Sequence, residues 1–170
     1  RMRLGGTTPP AVSKGIVAHG LTACAISFGA ASQTGFSGSR ATRDSAASYQ
    51  HAITSGTAYA HQCLVSLSRP LVGSERIIVY WTGSSGSTTH NIDSSSSSAY
   101  VGKYFKVTNT LTAVANGSNY AAVFLVNPLS ADLTVWVTRL QSEAGGASPS
   151  YIPTGSAPVR DCSRSTGVRG

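Results

Sequence analysis

Four histidines, six carboxylates and a large stock of serines are the groups in this 170-residue chain that bear on catalysis. Nucleophilic catalysis needs a Ser or Cys activated by an adjacent base. His19, His51, His61 and His90 are scattered, and no Gly-x-Ser-x-Gly elbow occurs; "GSSGS" (83–87) belongs to a longer serine run. Glycoside hydrolysis needs two positioned carboxylates. The candidates are Asp44, Glu75, Asp93, Asp132, Glu143 and Asp161, none in a telling arrangement. The histidines have no i, i+2 or i, i+4 spacing that suits a metal. A calcium site of scattered oxygens around Asp93 or Asp132 is the one metal arrangement left open. No glycine loop of the phosphate-cradling kind precedes a helix. The expectation is a non-enzyme with no catalytic residue and no cofactor.

Binding chemistry is better represented. Sugars present apolar C–H faces and many hydroxyls, so their sites combine an aromatic platform with neutral hydrogen-bonding groups. "VYWTG" followed by the Ser-rich stretch and "THNID" offers both, and Tyr80, Trp81, His90, Asn91 and Asp93 are the expected glycan-binding residues. The competing reading makes Trp81 a core side chain and the stretch 83–102 a solvated loop. Nucleic acid is not expected: basic and aromatic residues interleave only at Lys103, Tyr104, Phe105 and Lys106.

The net charge of +7 comes mainly from the ends. Arg1, Arg3 and Lys14 lie in the first fourteen residues and Arg160, Arg164 and Arg169 in the last eleven, whereas 15–159 carries seven basic and five acidic side chains. Basic ends suit an acidic partner surface. Three cysteines, Cys24, Cys63 and Cys162, without a CxxC spacing imply neither a disulfide framework nor a zinc site. No signal-peptide pattern is apparent, and no stretch approaches the roughly 20 apolar residues of a membrane span, so no membrane insertion is expected.

These groups must be positioned by strands. Charged residues make up 11% of the chain and the surface helix formers are scarce, which favours strands and turns. "TAYAHQCLVSLSR" alternates, with Tyr59, Cys63, Val65 and Leu67 on one face and Ala60, Gln62, Ser66 and Ser68 on the other. "ERIIVYWT" is a short β-branched and aromatic run. "KYFKVTNTLTAVA" alternates again, placing Phe105, Val107, Leu111 and Ala113 together. "NYAAVFLVN" is apolar on both faces, and "ADLTVWVTRLQ" supplies the last long strand. Residues 16–28 form one or two strands broken at Gly20. The expected architecture is an all-β antiparallel sandwich over 15–157. It is flanked by an extended N-terminal arm, 1–14, and a basic tail, 158–170.

The C-terminal part resembles a jelly-roll family, similar to carbohydrate-binding modules, common in bacteriophage tail fibres, tailspikes and other virion appendages. In that family a last strand with an aromatic runs into Gln-Leu-Glu-Ala-Gly, and Ser-Tyr-Ile-Pro-Thr follows seven residues past the Glu. Here Trp136 precedes Gln141-Ser142-Glu143-Ala144-Gly145, and Ser150-Tyr151-Ile152-Pro153-Thr154 follows at the matching distance. Ser142 replaces the family's leucine, and the ending Val159-Arg160-Asp161 is shorter than usual. The resemblance implies a jelly roll, and the residues themselves lead to the expectation that Gly145 and Pro149 let the chain turn back, Tyr151 and Ile152 cover an apolar seam, and Gln141 and Glu143 satisfy backbone donors at the crossing. It further implies a virion structural protein on a tail fibre, tail tip or capsid surface, made in the host cytoplasm, with host surface polysaccharide as a ligand. A homo-oligomer, a trimer, is implied, and the Arg1, Arg3 and Lys14 arm is expected to dock on another virion protein. The alternatives are a capsid decoration protein with no ligand and a glycan-processing appendage enzyme.

Overall fold

The computed structural model describes residues 10–30, 37–40, 51–83 and 86–147. Ten strands form two antiparallel sheets packed face to face. Sheet A has the order β1 (Ala11–Ala18), β2 (Leu21–Phe28), β10 (Leu133–Ala144), β5 (Ala58–Leu67), β8 (Phe105–Thr112). Sheet B has the order β3 (Ser37–Arg40), β9 (Gly117–Leu125), β6 (Arg76–Gly83), β7 (Gly86–Asp93), with β4 (His51–Ile53) also paired to β9. Most connections pass from one sheet to the other. This is an all-β sandwich of jelly-roll type.

The expected alternation of β5 is present. Val65 and Leu67 face Val137 and Val135 of β10 across the ladder, and all four are buried in the central core. Val107, opposite Cys63 on β8, extends that layer. Sheet B contributes Ile77, Val79, Trp81, Ile92, Val123 and Leu125. Each fully buried aliphatic or aromatic side chain of this kind stabilises the fold by about 1.5–3 kcal/mol. The free thiol of Cys63 lies in this layer, and burial pushes its pKa up to about 12. Cys24 is disulfide-bonded, which corrects the expectation that no disulfide forms.

Three further expectations change. Residues 86–102 are not a solvated loop. Gly86–Asp93 pairs with β6 from Gly83↔Gly86 to Arg76↔Asp93, and Ser97–Tyr100 makes a 3-10 turn. Thr and Ser alternating with His90 and Ile92 suit the polar edge of a sheet, where an apolar strand would invite unwanted pairing. Ala11–Lys14, assigned to the arm, belong to β1, which pairs with β2 from Ala11↔Ser27 onward. The last strand does not stop at Gln141 but continues to Ala144. Arg1, Arg3, Ser150, Tyr151, Ile152 and Pro153 lie outside the described residues, as does the tail 158–170. Lys14 is an exposed residue of β1.

Candidate functional site

The expected glycan-binding residues do not converge. Trp81 is opposite Thr88 on β7, in the phase of Val79 and Ile92, and only 2% exposed. Its indole stacks on the His61 imidazole at 5.6 Å inside the sandwich. His90 shares that inward phase, half-buried, with its Nε2 2.8 Å from the Tyr100 hydroxyl. Burial lowers the His90 pKa from its ordinary value. Tyr80 and Asn91 take the opposite phase, and the Tyr80 ring meets Phe124 edge-on at 5.8 Å. Asp93 caps its own turn. Its Oδ1 accepts from Ser95 Oγ (2.6 Å) and N (3.0 Å) and from Ser96 Oγ (3.0 Å) and N (3.1 Å). The Ser95 and Ser96 hydroxyls hold its carboxyl below the usual range. Asp132 Oδ1 accepts from Ala30 N at 2.8 Å, and no group of three or more potential metal ligands occurs among the described residues.

The sandwich instead gathers aromatic and polar groups on the outer face of sheet A. In β10, Val135 and Val137 point into the core, so Trp136 points outward between Ala25 of β2 and Ser66 of β5. The two-residue β1–β2 turn, His19 and Gly20, has φ of 47° and 79°, the backbone of a type I′ hairpin. It carries the His19 ring edge-on to Trp136 at 5.3 Å and edge-on to Tyr104 at 5.8 Å. Tyr104 precedes β8. Its hydroxyl is shut off from solvent with no hydrogen-bond partner among the described residues, and burial raises its pKa.

A bulge completes the face. The register of β10 against β5 slips between Thr138 and Gln141, and Arg139 sits there at φ 52°. One extra residue reverses the alternation. Leu140 therefore packs on the core, and Gln141 comes outward beside Gln62 rather than inward. Gln62 Nε2 donates to Gln141 Oε1 at 3.1 Å, and Gln141 Nε2 donates to Glu143 Oε1. Past the strand, Gly145 (φ 128°) donates its N–H to Ala58 O at 2.8 Å. The floor of the face is small and recessed: Ala23, Ala25 and Ala60 are buried although they point away from the core. On the β8 side, Leu64 faces Lys106 and Gln62 faces Thr108.

The same bulge turns Ser142 inward, where its Oγ lies 2.8 Å from His61 Nδ1. Both residues are buried, at 7% and 1% exposure, so this serine–histidine contact is a packed hydrogen bond that no substrate reaches. Glu143 is the carboxylate that the strands of the outer face carry. The chemistry available there is stacking on the half-buried Trp136 and hydrogen bonding through the exposed Thr108 hydroxyl, whereas the Gln62 and Gln141 amides are each 4% exposed and bonded within the protein.

Trp136 was expected as a motif residue and not as a site residue, and His19, Gln62 and Thr108 were not expected at all. One signal was available for Trp136. In "LTVWVTRL" the valines define the inward phase, so an aromatic between them occupies the solvent phase together with Thr134 and Thr138.

No protein-family model matches the chain, and no curated protein matches it in sequence. Among solved structures the chain is similar to a CBM4 structure, with 16% identity over 82% of this chain and 91% of that one, at a TM-score of 0.48. It is similar to a family 16 carbohydrate-binding module-2, with 11% identity over 80% and 86% of the two chains, at a TM-score of 0.46. A third, BiXyn10A CBM1 in its apo form, has 16% identity over 69% and 73%, at a TM-score of 0.36.

Proposed function

We propose that this chain is a non-catalytic glycan-binding protein whose ligand lies on the outer face of sheet A. The carrying observation is the ring cluster of Trp136, Tyr104 and the exposed His19, braced beneath by the buried Gln62–Gln141 pair. The half-buried Trp136 offers a platform for the apolar face of a sugar ring, while the exposed His19 ring and Thr108 hydroxyl match its hydroxyls. A glycan array probed with the full chain tests the reading. Binding should fall at least about 30-fold in Trp136→Ala, the scale of a central aromatic anchor. Unfolding free energy should change by no more than about 1 kcal/mol, because the side chain lies outside the core. Undiminished binding by a folded Trp136→Ala protein removes the site from this face.

The Gln141–Gly145 and Ser150–Thr154 pattern supports a finer reading, in which the protein is a bacteriophage virion component on a tail fibre, tail tip or capsid surface. In that setting the ligand is host surface polysaccharide, the assembly is a homo-oligomer, and the basic N-terminal segment docks on another virion protein. Since β1 begins at Ala11, the deletion that tests docking without cutting a strand is 1–9. The shortened protein should unfold at the same denaturant concentration as the parent yet fail to enter particles. Normal incorporation would overturn the docking role.

A further inference from the structure

We propose that the outer face of sheet A prefers an anionic polysaccharide, one carrying carboxylate groups, and that Lys106 and Lys103 recognise those groups. This rests on the glycan-binding reading of the same face and names its substrate class.

The register places the charge. Lys106 is opposite Leu64 on β5, and Leu64 is in turn opposite Thr138 on β10, two residues beyond Trp136. Neighbouring strands are about 4.8 Å apart and successive residues rise about 3.3 Å, so the Lys106 backbone lies roughly 12 Å from that of Trp136. A lysine side chain spans much of that gap. Lys103 immediately precedes Tyr104, the ring that meets His19 at the other side of the cluster. Both lysines are exposed, and no ion pair of either occurs among the described residues. The carboxylate of the face, Glu143, is opposite Ala60, four residues along β5 from Leu64 and so roughly 13 Å away. It already accepts from Gln141. The aromatic end of the face thus carries two lysines, Glu143 is remote and engaged, and Asp132, just before β10, accepts from Ala30 N.

The rest of the face fits a charged sugar better than a nucleic acid. Single-stranded nucleic acid is held by successive stacked bases along a basic groove. Here His19 meets both Trp136 and Tyr104 edge-on, which leaves one principal platform, and the adjoining groups are the exposed, neutral Thr108 and the buried Gln62 and Gln141. One sugar stacking on Trp136 brings a carboxylate on an adjoining unit within reach of Lys106. Lysine on an edge strand also discourages sheet-to-sheet pairing, a role that makes no demand on ligand charge.

Titration calorimetry of the full chain separates these roles. The probes are polygalacturonate, the same polymer fully methyl-esterified, a neutral glucan and an oligothymidylate. The acidic polymer should bind roughly tenfold more tightly than its ester, as expected for hydrogen bonds to a charged group. That preference should shrink as salt is raised and disappear in the Lys103→Gln/Lys106→Gln variant. Equal affinity for acid and ester, a preference that survives in the double variant, or binding confined to neutral glycans overturns the charge assignment and leaves glycan binding intact. Tightest binding to the oligothymidylate overturns it in favour of nucleic acid. Failure of every polysaccharide, here and on the array, overturns the glycan reading itself.

Discussion

Trp81→Ala is expected to lower the unfolding free energy by about 3–5 kcal/mol, the cost of emptying a large aromatic site in a packed core. The indole is 2% exposed, stacks on His61 and belongs to the cluster that joins the two sheets. Its removal also strips a ring contact from a buried imidazole whose Nδ1 is bonded to Ser142, so the loss spreads from sheet B to sheet A. Folded Trp81→Ala protein should still bind the ligand of the outer face, since Trp81 has no part in that face. Trp136→Ala should do the reverse, keeping stability and losing the ligand. Urea unfolding and binding measured on both variants decide the matter. If Trp81→Ala leaves the midpoint unchanged and abolishes binding, the assignment of the two tryptophans is inverted.

That contrast shows why one tryptophan was readable from the chain and the other was not. In "RIIVYWT" every position from Ile77 to Trp81 is apolar, so no polar residue marks the outward phase, and Tyr80 and Trp81 are equally eligible for either face. Only pairing with β7, where Ile92 is opposite Ile77, decides between them. In β10 the flanking threonines mark the phase of Trp136 at once. β5 and β8 were similarly plain because their apolar residues recur every second position. β7 was hidden because its one large aliphatic side chain is Ile92, at the far end of a polar run. The remaining site residues depend on contacts distant in sequence. Gln141 faces outward only because of the bulge at Arg139, and His19 joins Trp136 only because a hairpin turn carries it across the sheet. Neither a bulge nor the reach of a hairpin leaves a periodic trace.

Glu75→Ala is expected to cost about 3–5 kcal/mol at neutral pH, because it leaves the partly buried Arg69 guanidinium without its anion. Glu75 is a clamp at one end of the sandwich. Its Oε2 accepts from Arg69 Nη1 (2.7 Å) and Val72 N (2.9 Å). Its Oε1 accepts from Arg69 Nη2 (3.1 Å), Ser130 N (2.7 Å) and Ser130 Oγ (2.8 Å). Arg69 then donates onward to the carbonyls of Pro70 (2.8 Å), Ala131 (2.6 Å) and Asp132 (3.1 Å). One ion pair therefore ties the β5–β6 connection to the β9–β10 connection. Burial alone would raise the Glu75 pKa, but the hydrogen bonds from Arg69, Ser130 and Val72 outweigh it and bring it to about 2. The folded pKa lies below that of an unfolded glutamate, near 4.3. Over the interval between them the unfolded chain binds more protons. The stabilisation is therefore complete above about pH 5 and lost as the pH falls through 4 towards 2. A shift of this size corresponds to ~3 kcal/mol. Urea unfolding at pH 7 and pH 2.5 should show the parent losing markedly more stability than Glu75→Gln, with the gap between the two proteins narrowing at low pH. A gap of the same size at both pH values would mean that the charge on Glu75 contributes nothing, and that the clamp acts through packing alone.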